Sequence, residues 1–133
     1  MSDLLHPQMN PEDVNRISLL GLAHVGDGVY ELLVRSMLCT EGHQAIQDLH
    51  RETVRWVNAS AQARAMEKLL PLLTEEESAV YRRGRNTKVH GVPPKASVAD
   101  YHSATGLEAL FGWLYLLGRR ERLSELFAKI AEE

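Results

Sequence analysis

Residues 18–39 and 98–117 are two long stretches in which apolar side chains recur at helical spacing, and they constrain the fold more than anything else in the sequence. The second stretch is apolar nearly all round, so it belongs at the centre with other helices against every face. No segment alternates apolar and polar residues over the length of a strand. Twenty Leu and thirteen Ala against ten Val and three Ile push the same way, because β-branched side chains lose rotamer freedom in a helix. The sequence therefore predicts an all-α bundle of five to seven helices around two buried ones.

Capping residues divide the chain further. Asn10-Pro11-Glu12-Asp13 is a helix start, with a capping Asn, Pro in the first turn and two acids at the positive end of the dipole. Thr40-Glu41-Gly42 ends the first long helix, and two helical segments fill 43–70 until Pro71 closes them. Thr74 and Glu77 form a capping box, which predicts a short helix over 75–83. Residues 84–97 hold two glycines and two adjacent prolines without apolar periodicity, and read as a loop. Gly118 breaks the second long helix, and Leu123, Leu126, Phe127 and Ile130 mark an amphipathic last one.

Composition excludes several classes. With 15 Lys and Arg against 18 Asp and Glu the net charge is −3, which rules out a uniformly basic nucleic-acid coat but permits a local basic patch. The single cysteine, Cys39, permits no internal disulfide and fits a reducing compartment. The N-terminus lacks the basic start and apolar run of a signal peptide, and 107–117 is too short to cross a bilayer, which takes about 20 residues. A cytoplasmic protein without membrane contact is expected.

Two carboxylates stand where a fold would not choose them. Asp27 is the only acid between Asp13 and Glu31, on a stripe with Leu20, Ala23, Tyr30 and Val34; Glu108 is the only acid between Asp100 and Glu121, facing with Ala104, Phe111, Gly112 and Tyr115. A buried ionised carboxylate costs several kcal/mol unless it is paired or binds a metal. The helices that carry them are the two most apolar, so they are expected to pack together and to bring both acids to one hard divalent cation, Mg²⁺ typically taking one or two carboxylates. Gly26 and Gly28 flank Asp27 at a cost of about 1 kcal/mol each relative to Ala, and make room for a close neighbour. Glu31 either reaches the same site or pairs with Arg35, and His24 is expected to pack beside it rather than to ligate.

Five cations and no acid occupy residues 81–95. Arg82, Arg83, Arg85, Asn86, Lys88 and Lys95 are the candidates for holding phosphate, because guanidinium groups make forked hydrogen bonds to its oxygens. Cations that hold a polyanion while metal-bound acids cut it describe a nuclease. The competing readings are a non-catalytic helical module that binds structured RNA or the ribosome, and an all-α nucleotide pyrophosphohydrolase. The latter needs acids clustered on one helix face, which the consecutive Glu75-Glu76-Glu77 do not provide.

Ala23-His24-Val25-Gly26-Asp27-Gly28-Val29-Tyr30 resembles the signature helix of the ribonuclease III family, and Thr105-Gly106-Leu107-Glu108-Ala109-Leu110-Phe111-Gly112 resembles that family's second acidic helix. Leu49-His50-Arg51, Val57-Asn58-Ala59 with Gln62-Ala63, and Arg82-Arg83-Gly84-Arg85-Asn86 are similar to its short bacterial form, Mini-ribonuclease III, which lacks the double-stranded-RNA-binding domain. The resemblance implies one ribonuclease III-like catalytic domain over 1–133, with 1–10 a flexible start. It also implies a homodimeric endoribonuclease that uses Mg²⁺ on double-stranded RNA, with 23S ribosomal RNA precursor as substrate and a ribosomal protein as a candidate helper in shaping it. Asp27 carries over as the signature aspartate and Glu108 as the second-helix glutamate, both as catalytic residues and metal ligands. Two acids of the full-length enzymes do not carry over: Ala23 and Thr105 stand in their places. That implies weaker metal binding, or ligands supplied by water and RNA phosphate.

Overall fold

The computed structural model describes residues 3–41, 45–88, 91–92 and 97–132. Seven helices follow one another: α1 (Pro11–Asn15), α2 (Leu19–Glu41), α3 (Ile46–Trp56), α4 (Ala59–Leu69), α5 (Glu75–Arg85), α6 (Val98–Leu116) and α7 (Arg120–Ala131), with a 3₁₀ turn (Leu70–Leu72) after α4. There is no strand among the described residues, and no helix is long and apolar enough to cross a membrane.

Side-chain caps set these boundaries. Asn10 accepts from the Asp13 N–H at 2.9 Å to start α1, and Ser97 accepts from the Asp100 N–H to start α6. Asn58 serves two helices: its Oδ1 accepts from the Ala61 N–H at 2.9 Å to open α4, and its Nδ2 donates to the Val54 carbonyl at 2.8 Å to close α3. The expected capping box is formed, the Thr74 N–H donating to Glu77 and the Glu77 N–H to Thr74. Glu77 is also the most deeply buried charged side chain, held by Arg122 of α7 through two hydrogen bonds of 2.9 Å. Burial pushes its carboxyl up, but the Arg122 and Thr74 hydrogen bonds outweigh burial and hold it below its ordinary value.

α6 is the central element. Ten of its residues are buried, and α2, α4, α5 and α7 all lie against it. The closest approach is to α2: a Cβ built on Gly26 would fall 1.6 Å from the Glu108 carbonyl oxygen, and one on Gly112 would fall 2.0 Å from that of Leu22. The two backbones therefore touch, which only paired glycines permit. Tyr30 fills the space beside the crossing, edge-on to Phe111 at 5.5 Å and Phe127 at 5.9 Å.

Two expectations are corrected. α5 continues to Arg85, so Gly84 is not the start of a loop; its Cα faces α6, where an added Cβ would meet that of Ala109 at 2.8 Å. The glycine read as a chain breaker serves a helix–helix contact. Residues 7–9 of the expected flexible start are held against the fold: Pro7 is buried, the Met9 N–H donates to the Leu116 carbonyl at 2.9 Å, and Gly118 (φ +79°) turns α6 away just where an added Cβ would meet the Pro7 carbonyl at 2.7 Å.

The Gly26–Gly112 contact leaves no room for a methyl group that backbone oxygens would have to evade. Gly112→Ala should destabilise the protein by about 3 kcal/mol or more, measured as the loss of unfolding free energy in urea.

Candidate active site

The crossing of α2 and α6 fixes the positions of both candidate acids. Asp27 follows Gly26 on α2, and Glu108 is the residue whose main-chain oxygen rests on Gly26, so their side chains emerge together at the edge of the contact. The carboxyl of Glu108 is pushed up to about 8, first by burial and then by the like charge and close contact of Asp27. Gln62 of α4 opposes that shift, its Nε2 donating to Glu108 Oε2 at 3.4 Å. Tyr30, one turn beyond Asp27, is pushed up to about 12 by burial and then by the charge of Glu108.

Asp27 itself is exposed, which corrects the expectation of two buried carboxylates. Ala23, Tyr30 and Val34 of its supposed stripe are buried, but Leu20 is 42 % exposed, and Asp27 stands with it on the solvent edge. Only Glu108 bears a burial penalty. Glu31 pairs with Arg35 at 3.2 Å, and His24 is exposed rather than packed. At the two positions without acids, Ala23 is buried in the core, and the Thr105 hydroxyl donates to the Tyr101 carbonyl of its own helix at 3.1 Å. Among the described residues no three His, Cys, Asp or Glu side chains gather as a metal cluster. Two adjacent carboxylates with no cationic partner remain a fitting oxygen donor set for one hard divalent cation, which keeps several waters.

Glu108 lines a groove of about 770 Å³ between α6 and the α3–α4 corner, together with Asn58, Ser60, Gln62, Tyr101 and Thr105. Gln62 is the site residue that the reading of chemistry from sequence missed. Its signal was a lone amide on a buried helix face otherwise made of Ala63, Ala65, Met66 and Leu69.

The basic candidates are placed apart from the acids. Arg82, Arg83, Asn86 and Lys88 are exposed at the end of α5, and Arg85 lies over the Tyr81 ring with its Nε bonded to Asn86. None of the four cations forms an ion pair among the described residues. α5 meets α6 at Gly106 and at Ala109, the neighbour of Glu108. None of these cations is paired with Asp27 or Glu108 among the described residues. Lys95 lies outside the described residues.

The ribonuclease III domain profile matches residues 20–119, which include both glycines of the crossing and both acids. The chain belongs to the ribonuclease III family. It is 50% identical over 113 residues to a Mini-ribonuclease 3 of Symbiobacterium thermophilum, a match covering 85% of this chain and 87% of that protein. A Mini-ribonuclease 3 of a Thermoanaerobacter species is 43% identical over 128 residues, covering 94% and 90%. The fold superposes on a crystal structure of a Fusobacterium nucleatum protein with a TM-score of 0.83 at 30% identity, covering 91% of this chain and 98% of that one. Like the rest of the family, this chain is an endoribonuclease, and the two sequence elements similar to ribonuclease III are the two that cross at Gly26 and Gly112.

The raised carboxyl of Glu108 has a stability consequence. Between its ordinary value of 4.5 and about 8 the folded state binds more protons than the unfolded state, so stability falls as pH rises through that window. Glu108→Gln should raise the unfolding free energy of the metal-free protein at pH 8 by about 1–3 kcal/mol, with the gain fading toward pH 4.5. Denaturant titrations at the two pH values measure it.

Proposed function

We propose that this endoribonuclease cleaves double-stranded RNA by Mg²⁺-dependent hydrolysis of phosphodiester bonds, with Asp27 and Glu108 as the residues that hold the cation. The observation that carries the reading is the pair itself: two carboxylates side by side, one of them driven to keep its proton, with no Lys or Arg paired to them among the described residues. A divalent cation bound there supplies Lewis-acid activation of water and offsets charge on the phosphate oxygens. The protein's part is to give up the Glu108 proton, hold both carboxylates at one point, and present the groove beside them to the RNA. We take Arg82, Arg83, Arg85, Asn86, Lys88 and Lys95 as the phosphate grip.

The grip of one chain forms no ion pair with its two acids among the described residues, and we take the working form to be a homodimer on one duplex. An apolar groove of about 420 Å³ beside α2, lined by Val25, Gly28, Val29, Leu32 and Leu33, supports that assembly, since Leu32 is 64 % exposed and Gly28 has open space around it. The resemblance of the sequence to the short form of the family leads us to take 23S ribosomal RNA precursor in the cytoplasm as substrate, a ribosomal protein as a candidate helper in shaping it, and 1–133 as one catalytic unit.

Asp27→Asn is near-isosteric and should lower Mg²⁺-dependent cleavage of end-labelled double-stranded RNA by about 100-fold or more while leaving RNA binding in place. Equal cutting by both proteins would sink the assignment. Arg82→Ala combined with Arg83→Ala should instead weaken binding to all duplexes alike and make the slope of log affinity against log salt shallower by about 2. Filter binding from low to moderate salt reads this directly.

A further inference from the structure

We propose that Gln62 is a positioning residue of the two-carboxylate centre, its side-chain amide fixing the Glu108 carboxylate in the orientation that receives the divalent cation. The inference rests on reading Asp27 and Glu108 as the ligands of that cation. Gln62 is only 4 % exposed, and its Nε2 lies 3.4 Å from Glu108 Oε2, the one side-chain hydrogen bond that Gln62 makes among the described residues. At this length the bond resembles catalytic hydrogen bonds that tighten when the ligand arrives.

Three features separate this amide from an ordinary buried polar group. The first is its setting: the rest of the buried face of α4 is apolar, so a Leu or Met at position 62 would fill the same volume without an amide to satisfy. The second is its charge. A Lys or Arg donor here would form an ion pair with Glu108 and compete with a cation, whereas a neutral N–H orients one oxygen and leaves the other, and the full negative charge, for the metal. The third is support. α4 is started by Asn58, whose carbonyl accepts the Gln62 N–H at 2.9 Å, and Asn58 also closes α3, so the helix that presents the amide has a fixed first turn. Outer partners of this kind orient metal-binding carboxylates and tune their affinity.

Calorimetric titration of the RNA-free protein with Mn²⁺ tests the proposal, using wild type, Gln62→Met, Gln62→Glu and Asp27→Asn, with circular dichroism to establish folding. Gln62→Met keeps the length and loses the donor; Mn²⁺ binding should weaken by about 10-fold. The Mg²⁺ concentration for half-maximal cleavage should rise by the same factor, with kcat at saturating Mg²⁺ largely retained. Gln62→Glu adds a third oxygen ligand beside the pair and should tighten Mn²⁺ binding, and it decides the matter alone should the Met variant fail to fold. Wild-type Mn²⁺ affinity in the folded Gln62 variants overturns the role of Gln62. Undiminished Mn²⁺ binding by Asp27→Asn overturns the cation site itself, which is a different result.

Discussion

The contact of α2 with α6 at Gly26 and Gly112 is the constraint on which the rest of the molecule depends. Two glycines inside long helices each cost about 1 kcal/mol of helix stability, and the return is a crossing in which main-chain oxygens lie against the opposing backbone. That closeness sets the distance between Asp27 and Glu108. The two acids differ in exposure: Glu108 is half-buried beside Gln62 of α4, while Asp27 is exposed. The α5 side repeats the device with Gly84 and Gly106, so α6 is gripped closely on two faces by helices of quite different charge.

Much of this was legible in the sequence, for identifiable reasons. The long helices, the Asn10 cap, the Thr74–Glu77 capping box and the break at Gly118 are local features, decided by residues within one or two turns of each other. The convergence of Asp27 and Glu108 was legible because an acid in an apolar stripe needs a reason, and two such acids suggest a shared one. What escaped was decided by contacts distant in sequence. Gly84 looks like a helix breaker until Gly106 and Ala109 are set opposite it. The burial of Pro7 depends on the far end of α6, and the exposure of Asp27 depends on how α2 is set against α6. Gln62 has no meaning as a single residue, because its partner is 46 positions away.

The cations divide into two populations. Arg35, Arg51, Arg55, Arg64, Arg119 and Arg122 are paired with carboxylates and belong to the architecture; Arg122 in particular joins the end of the 3₁₀ turn and the buried Glu77 to α7. Arg82, Arg83, Arg85 and Lys88 have no such partners among the described residues, in a chain with more acids than bases. Exposed charges left unpaired in this way contribute little to folding and much to the attraction of a polyanion.

The order of the helices along the chain has a consequence for when the two carboxylates meet. Residues 27 and 108 are 81 positions apart, and their helices meet only after that long loop has closed, a nonlocal step that follows the formation of individual helices. α7, the last helix of the chain, is then tied back to α4 and α5 through Lys68 on its final carbonyls and Arg122 on Glu77. A partly synthesised chain holding α2 without α6 has Asp27 without Glu108. The proposed cation site is therefore a property of the folded chain and of neither helix alone.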